Sequence, residues 1–210
     1  MRHAILPLLL ATAACAPTTT EAGLGSDGAA MSDGYDLQAQ YAKLAVIEMN
    51  PDTSYLTEEE RQVVNLLIDA SSYMDEIYLR QRFAANPEVR QAISRSKHGD
   101  RDLLLTMFDR YYGAWDDLNE FHPFWGTEEL PEGAGFYPTD LTRGEFDAYL
   151  AANPDQRADL LDPYTVVKRD GDRLVAVPYS EEYAEWLIPA SRLLQQAAQI
   201  TTNPSLKKFL

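Results

Sequence analysis

The chain carries three histidines, one cysteine and 33 acidic side chains, a thin inventory for chemistry. His3 lies in the first fifteen residues, and His98 and His122 fall in stretches that read as turns. A zinc site needs three or four converging ligands, and two isolated histidines do not supply them. No HExxH, CxxC, GxSxG or glycine-rich phosphate loop occurs. Carboxylates abound, but an acidic chain always offers pairs, so no glycosidase-like pair stands out. Ser71-Ser72 read as small residues at a helix–helix contact. Asp75 and Glu76 read as a solvated flank, with a buried acidic site as the alternative. From its residues the chain is expected to hold no catalytic, cofactor-binding or metal-ligating group of its own.

Cys15 is the one functional residue the sequence assigns. The chain opens MRHAILPLLLATAAC, a basic start, a short apolar run, small residues and then the cysteine. That is the layout of a secretory signal peptide. The apolar run is shorter than the roughly 20 residues a membrane-spanning helix requires. Thr12-Ala13-Ala14-Cys15 resembles a bacterial lipobox, with Thr12 where leucine is usual, and in that reading Cys15 is acylated and becomes the new N-terminus. Ala11-Thr12-Ala13 also fits an ordinary A-x-A cleavage site, which gives a soluble periplasmic product. Ala16 after the cysteine favours the outer membrane of a Gram-negative cell.

The division expected is a signal peptide with lipobox over 1–15, a flexible tether over 16–34 and a helical body over 35–210. The tether is rich in Thr, Gly, Ala and Ser and has too little apolar surface to offset its ordering entropy. The body has enough apolar and aromatic content for one sizeable core or two small ones. The net charge of −15 repels phosphate backbones, so nucleic acid is not expected as a partner.

The elements follow from spacing and caps. Thr57 and Glu60 form a capping-box pattern ahead of a long helical repeat that reaches Ala84. Asn86-Pro87 starts a short helix to about Ser96, with asparagine as N-cap. A third helix is expected over 101–117, with Gly113 as its weak point. Residues 119–140 hold many aromatics among prolines and glycines and should be packed down. Thr142 opens another short helix to Ala152. β-rich runs around Asp170-Gly171 predict a hairpin. Ser180 starts a helix to Thr202, with a kink at Pro189. Asn203-Pro204 starts a last short helix. The fold class is therefore mainly α with a small β-hairpin (α+β).

Four stretches in order carry a resemblance. They are LTEEERQVVNLLIDASSYMDEIYLRQR (56–82), RYYGAWDDLN (110–119), GFYPTDLTRGEFDAYLAANPD (135–155), and the hairpin and helix from Tyr164 through PYSEEYAEWLIPASRLLQQAA to NPSLKKFL (203–210). Together they are similar to the amino-terminal region of the dipeptidyl-peptidase III family of zinc peptidases. The resemblance implies a helical lobe of a larger two-lobed fold, forming one wall of a peptide-binding cleft. It implies zinc, and a peptide substrate, for the full-length protein. The family holds its zinc with an HExxGH helix motif and a further glutamate, both downstream of the matched region, and this sequence has neither. Nothing catalytic is carried over.

The leading expectation is thus an envelope lipoprotein, anchored to a membrane through Cys15 and representing the amino-terminal part of such a peptidase. The rival is a non-catalytic helical envelope lipoprotein that binds a peptide or protein partner. On the first reading, Phe209 and Leu210 should be largely exposed. The lipid is directly testable. Mass spectrometry of the mature N-terminus should find Cys15 as the acylated first residue, and Cys15→Ala should abolish the modification. A peptide beginning at Ala14 with a free thiol on Cys15 would show instead a soluble exported protein.

Overall fold

The computed structural model describes residues 31–32 and 34–210. The leader, Cys15 and most of the expected tether lie outside the described residues. Met31 and Ser32, inside the span expected as tether, already pack on the body. Met31 forms an antiparallel bridge with Trp125, and the Ser32 hydroxyl donates to the Gly126 carbonyl.

Helices α1 (Leu37–Tyr41), α2 (Glu58–Arg82), α3 (Asn86–Arg95) and α4 (Arg101–Tyr111) come first. A two-stranded patch of β1 (Trp115–Asp116) and β2 (His122–Pro123) follows, then α5 (Arg143–Ala152) and the short α6 (Arg157–Leu160). The hairpin is β3 (Thr165–Asp170) and β4 (Arg173–Pro178), and the chain continues through α7 (Tyr179–Glu182), α8 (Ala184–Ile200) and α9 (Pro204–Phe209). The architecture is mainly helical with a small hairpin, as the spacing predicts, and adds a second small antiparallel sheet, β1–β2.

α2 is the spine. The Thr57 hydroxyl accepts from the Glu60 N–H at 3.2 Å, and the Glu60 carboxylate accepts from the Thr57 N–H at 2.8 Å. Glu58, Glu59 and Glu60 occupy the first turn and Arg80 and Arg82 the last, each sign suited to its end of the helix dipole. At 1.5 Å per residue the helix is roughly 37 Å long. It packs antiparallel to α8: Glu59 accepts from the Thr202 N–H at one end, and the Arg80 guanidinium lies 3.9 Å from the Trp186 ring centroid at the other. The interface buries Val63, Ala70 and Ile77 of α2 and Ala190 and Ala197 of α8, and the alanines permit close approach.

Three apolar clusters hang on this spine. The first joins α1, Phe83, α3, α4 and the β1–β2 patch around Trp115, Phe124 and Trp125. The second lies under one face of the hairpin, where Val167 and Leu174 meet Phe146 and Leu150 of α5 and Leu160 of α6. The third fills the other face, where Val166 meets Ile77 and Tyr183. Alternation along β3 sends Val166 and Val167 to opposite sides, so both faces of the hairpin are covered.

Several boundaries differ from expectation, each for a tertiary reason. α4 stops at Tyr111, six residues early. Tyr112 takes the left-handed conformation (φ 51°) as the helix C-cap. Gly113 follows it, and a Cβ there would lie 3.2 Å from the Trp115 ring. Asn86 is the first residue of α3 rather than its cap. Its amide, fully buried, donates to Leu79 O (2.9 Å) and Tyr112 O (2.8 Å), tying the ends of α2 and α4 together. The hairpin loop is Gly171-Asp172, with Asp170 paired to Arg173. The last long helix is interrupted at Tyr183 and is continuous through Pro189. The Tyr183 ring is buried, and its carbonyl accepts from both Trp186 and Leu187. Ser71 and Ser72 are exposed and bond back to Ile68 O and Asp69 O instead of lining a helix contact. Asn203 caps α9 as expected; Phe209 is 86 % exposed, whereas Leu210 is half-buried.

Gly135 is the tightest junction in the fold. Its N–H donates to Gln81 O at 2.9 Å, and a Cβ on it would sit 1.8 Å from Arg80 O. Gly135→Ala should therefore cost about 3 kcal/mol or more by urea unfolding, whereas Gly144→Ala, with open space around it, should change stability by less than about 0.5 kcal/mol. Equal stability of the two variants would show that the junction can give way.

Candidate functional site

The predicted turn histidines are not brought together into a ligand set. His98 accepts from the Asp100 N–H at its Nδ1 (3.1 Å), a capping role. His122 lies on β2, exposed, with its ring stacked 5.7 Å from that of Tyr35. Among the described residues no group of three or more His, Cys, Asp or Glu could hold a metal ion. The residues present do not fit a zinc site. Asp75 and Glu76 are both exposed. Asp75 accepts from the Tyr112 hydroxyl at 2.8 Å, and Glu76 pairs with Arg80, also at 2.8 Å. The flank reading describes them.

The densest polar cluster is one the sequence did not single out. Asp116 is fully buried at the end of β1. Its carboxylate accepts from the Tyr35 hydroxyl (2.7 Å) and from the Leu118 N–H (2.9 Å). The buried Tyr111 hydroxyl faces the same carboxylate without a well-formed hydrogen bond. Burial first, and then the adjacent carboxylate, push the Tyr35 and Tyr111 hydroxyls well above the usual phenol range. The cluster fastens Tyr35 to the first core. It contains no nucleophile with a base beside it, so its chemistry is structural.

Two of the concavities among the described residues flank the hairpin and α5. A trough of about 690 Å³ runs beside β4, with Leu160, Leu174 and Ala176 along it and Asp159, Asp162, Tyr164 and Arg173 at its edges. Arg173 is already paired with Asp170, and Asp162 accepts from the Tyr164 N–H at 2.7 Å. A smaller cavity of about 280 Å³ lies against Phe146, Leu150 and Tyr137, with Arg143 and Arg157 among its lining residues. Either could receive part of a peptide; neither presents a reactive side chain. Among the described residues no helix is long and apolar enough to cross a membrane.

This architecture is a lobe known from solved peptidase structures. The chain is similar to part of two solved dipeptidyl-peptidase III structures. DPP III from Caldithrix abyssi is 40 % identical with a TM-score of 0.79, over 82 % of this chain and 33 % of that one. Dipeptidyl-peptidase III from Corallococcus sp. strain EGB is 30 % identical with a TM-score of 0.78, over the same shares of the two chains. The chain thus spans about a third of the length of the solved structures it matches. Among curated proteins, Nudix hydrolase 3 of Arabidopsis thaliana is 24 % identical over 83 % of this chain and 29 % of its own length. No family model matches.

Tyr183 offers a test of the packing around the hairpin. Burial first, and then the neighbouring Tyr179, push its hydroxyl up to about 12. A folded value above the ordinary phenol value of about 10 means the unfolded chain releases its proton first as pH rises. That stability is fully present below pH 10 and should be lost as pH climbs from about 10 to 12. Denaturant titrations should show this fall, and Tyr183→Phe should make it shallower. An unchanged slope would place the Tyr183 hydroxyl in water.

Proposed function

We propose that this chain is the helical, amino-terminal lobe of an exported zinc-dependent peptidase of the dipeptidyl-peptidase III type, anchored through a lipid on Cys15. The observation that supports it most is the partial match. At 40 % identity and a TM-score of 0.79, the chain follows the Caldithrix abyssi structure over 82 % of its own length but only a third of that chain. In this reading the zinc ligands come from sequence outside these residues. The chain itself supplies structure: α2 and α8 as a rigid wall, and the hairpin with its trough as a surface against which a peptide can lie. Its acidic charge and the absence of a built nucleophile or metal cluster among the described residues fit a wall better than a catalytic centre.

The chain alone should release no dipeptides from short peptides and should retain no stoichiometric zinc after dialysis. The complete gene product should do both, and should lose its activity to a chelator and regain it with zinc. Hydrolysis by residues 1–210 alone would sink the proposal. A complete product without peptidase activity would favour the rival, a helical envelope lipoprotein that binds a partner.

A further inference from the structure

Residues 45–55 join two fixed points. On one side Leu44 packs on the first cluster, which also contains Phe83, the residue that ends α2. On the other, the Leu56 carbonyl accepts from the Arg61 guanidinium at 3.1 Å, at the start of α2. Residues 45–55 therefore lead from that cluster to the start of α2.

This connection forms no helix or strand, its last residues closing a turn in which the Leu56 N–H donates to the Thr53 carbonyl, and every residue from 45 to 55 is exposed. Val46 is 72 %, Ile47 79 %, Met49 85 % and Tyr55 77 % exposed. α2 carries a second bare row. Val64 and Ile68 are exposed, on a different side of the helix from Val63, Ala70 and Ile77, which are buried. Ordering a segment costs conformational entropy, and here no buried side chain of its own offsets it. Clustered bare apolar side chains of this size mark an interaction surface.

Two observations choose the occupant. A second copy would bring another net charge of −15 against the first. The matched peptidase structures, in contrast, are about three times as long as the matched region, so two thirds of that body has no counterpart here. We propose that Val46, Ile47, Met49 and Tyr55 form an interface with the remaining two thirds of a dipeptidyl-peptidase III-like body. The segment acts as a strap that the larger part of the molecule covers. This rests on the functional reading above.

Ile47→Asp and Met49→Asp, made separately in the 1–210 chain and in the complete gene product, test it. A bare position tolerates a charge, so the Tm of the chain should move by less than about 1 °C. The complete product should lose about 3 °C or more, and the amides of residues 45–50 should exchange at least tenfold more slowly in it than in the chain. Unchanged Tm and equal exchange in a longer, active product would overturn the strap and leave the peptidase reading intact. A gene product of the same mass as the chain would remove that reading, and the strap with it. Destabilisation of the chain itself, together with dimers by light scattering, would make a second copy the occupant.

Discussion

The placement of the hairpin against the helical spine depends on the contact between Gly135 and the last turn of α2. The final carbonyls of a helix have no partner within it. Gln81 finds one in the Gly135 N–H, and the approach is so close that only a residue without a side chain fits. The next two residues extend the junction. The Phe136 carbonyl accepts from the Val167 N–H on β3 at 2.8 Å, and the Tyr137 ring meets Phe146 of α5 edge-on at 5.2 Å. Three consecutive residues thus fix the spine, the hairpin and α5 relative to one another. The trough beside β4 keeps its shape because these attachments leave the hairpin little freedom.

What was legible in the sequence was local. Thr57 with Glu60, and Asn203 with its following amides, satisfy helix ends within a single turn, so their roles can be read from spacing alone. The hairpin was equally plain, displaced by one residue in its loop. Asn86 looked like a helix cap, but its amide serves carbonyls 7 and 26 positions away, which no local rule contains. The apolar repeat along α2 was read as one stripe, yet of it only Val63 and Ile77 are buried, while Val64, Ile68, Met74 and Tyr78 are exposed. Periodicity reports that a face is apolar, and it cannot say how much of that face has a neighbour. Asp116 was missed for the same reason. It is one acidic residue among 33, and burial alone distinguishes it.

The functional account follows from the same physics. Side chains that could do chemistry are scattered or already committed: His98 to a turn, His122 to a ring stack, Asp116 to Tyr35. What the fold concentrates is rigidity, in a long capped helix with a second helix along it and a hairpin covered on both faces. In the proposed reading, such a lobe would contribute position to an active site whose reactive groups belong to another part of the molecule. Its likeness to about a third of two dipeptidyl-peptidase III structures fits that division of labour.

The most direct test is anomalous X-ray diffraction at the zinc edge from crystals of the complete gene product. The account predicts one zinc whose ligands all lie outside residues 31–210, with Gly135 still seated on the end of α2. A zinc coordinated by His98, by His122 or by any carboxylate of this lobe would contradict it.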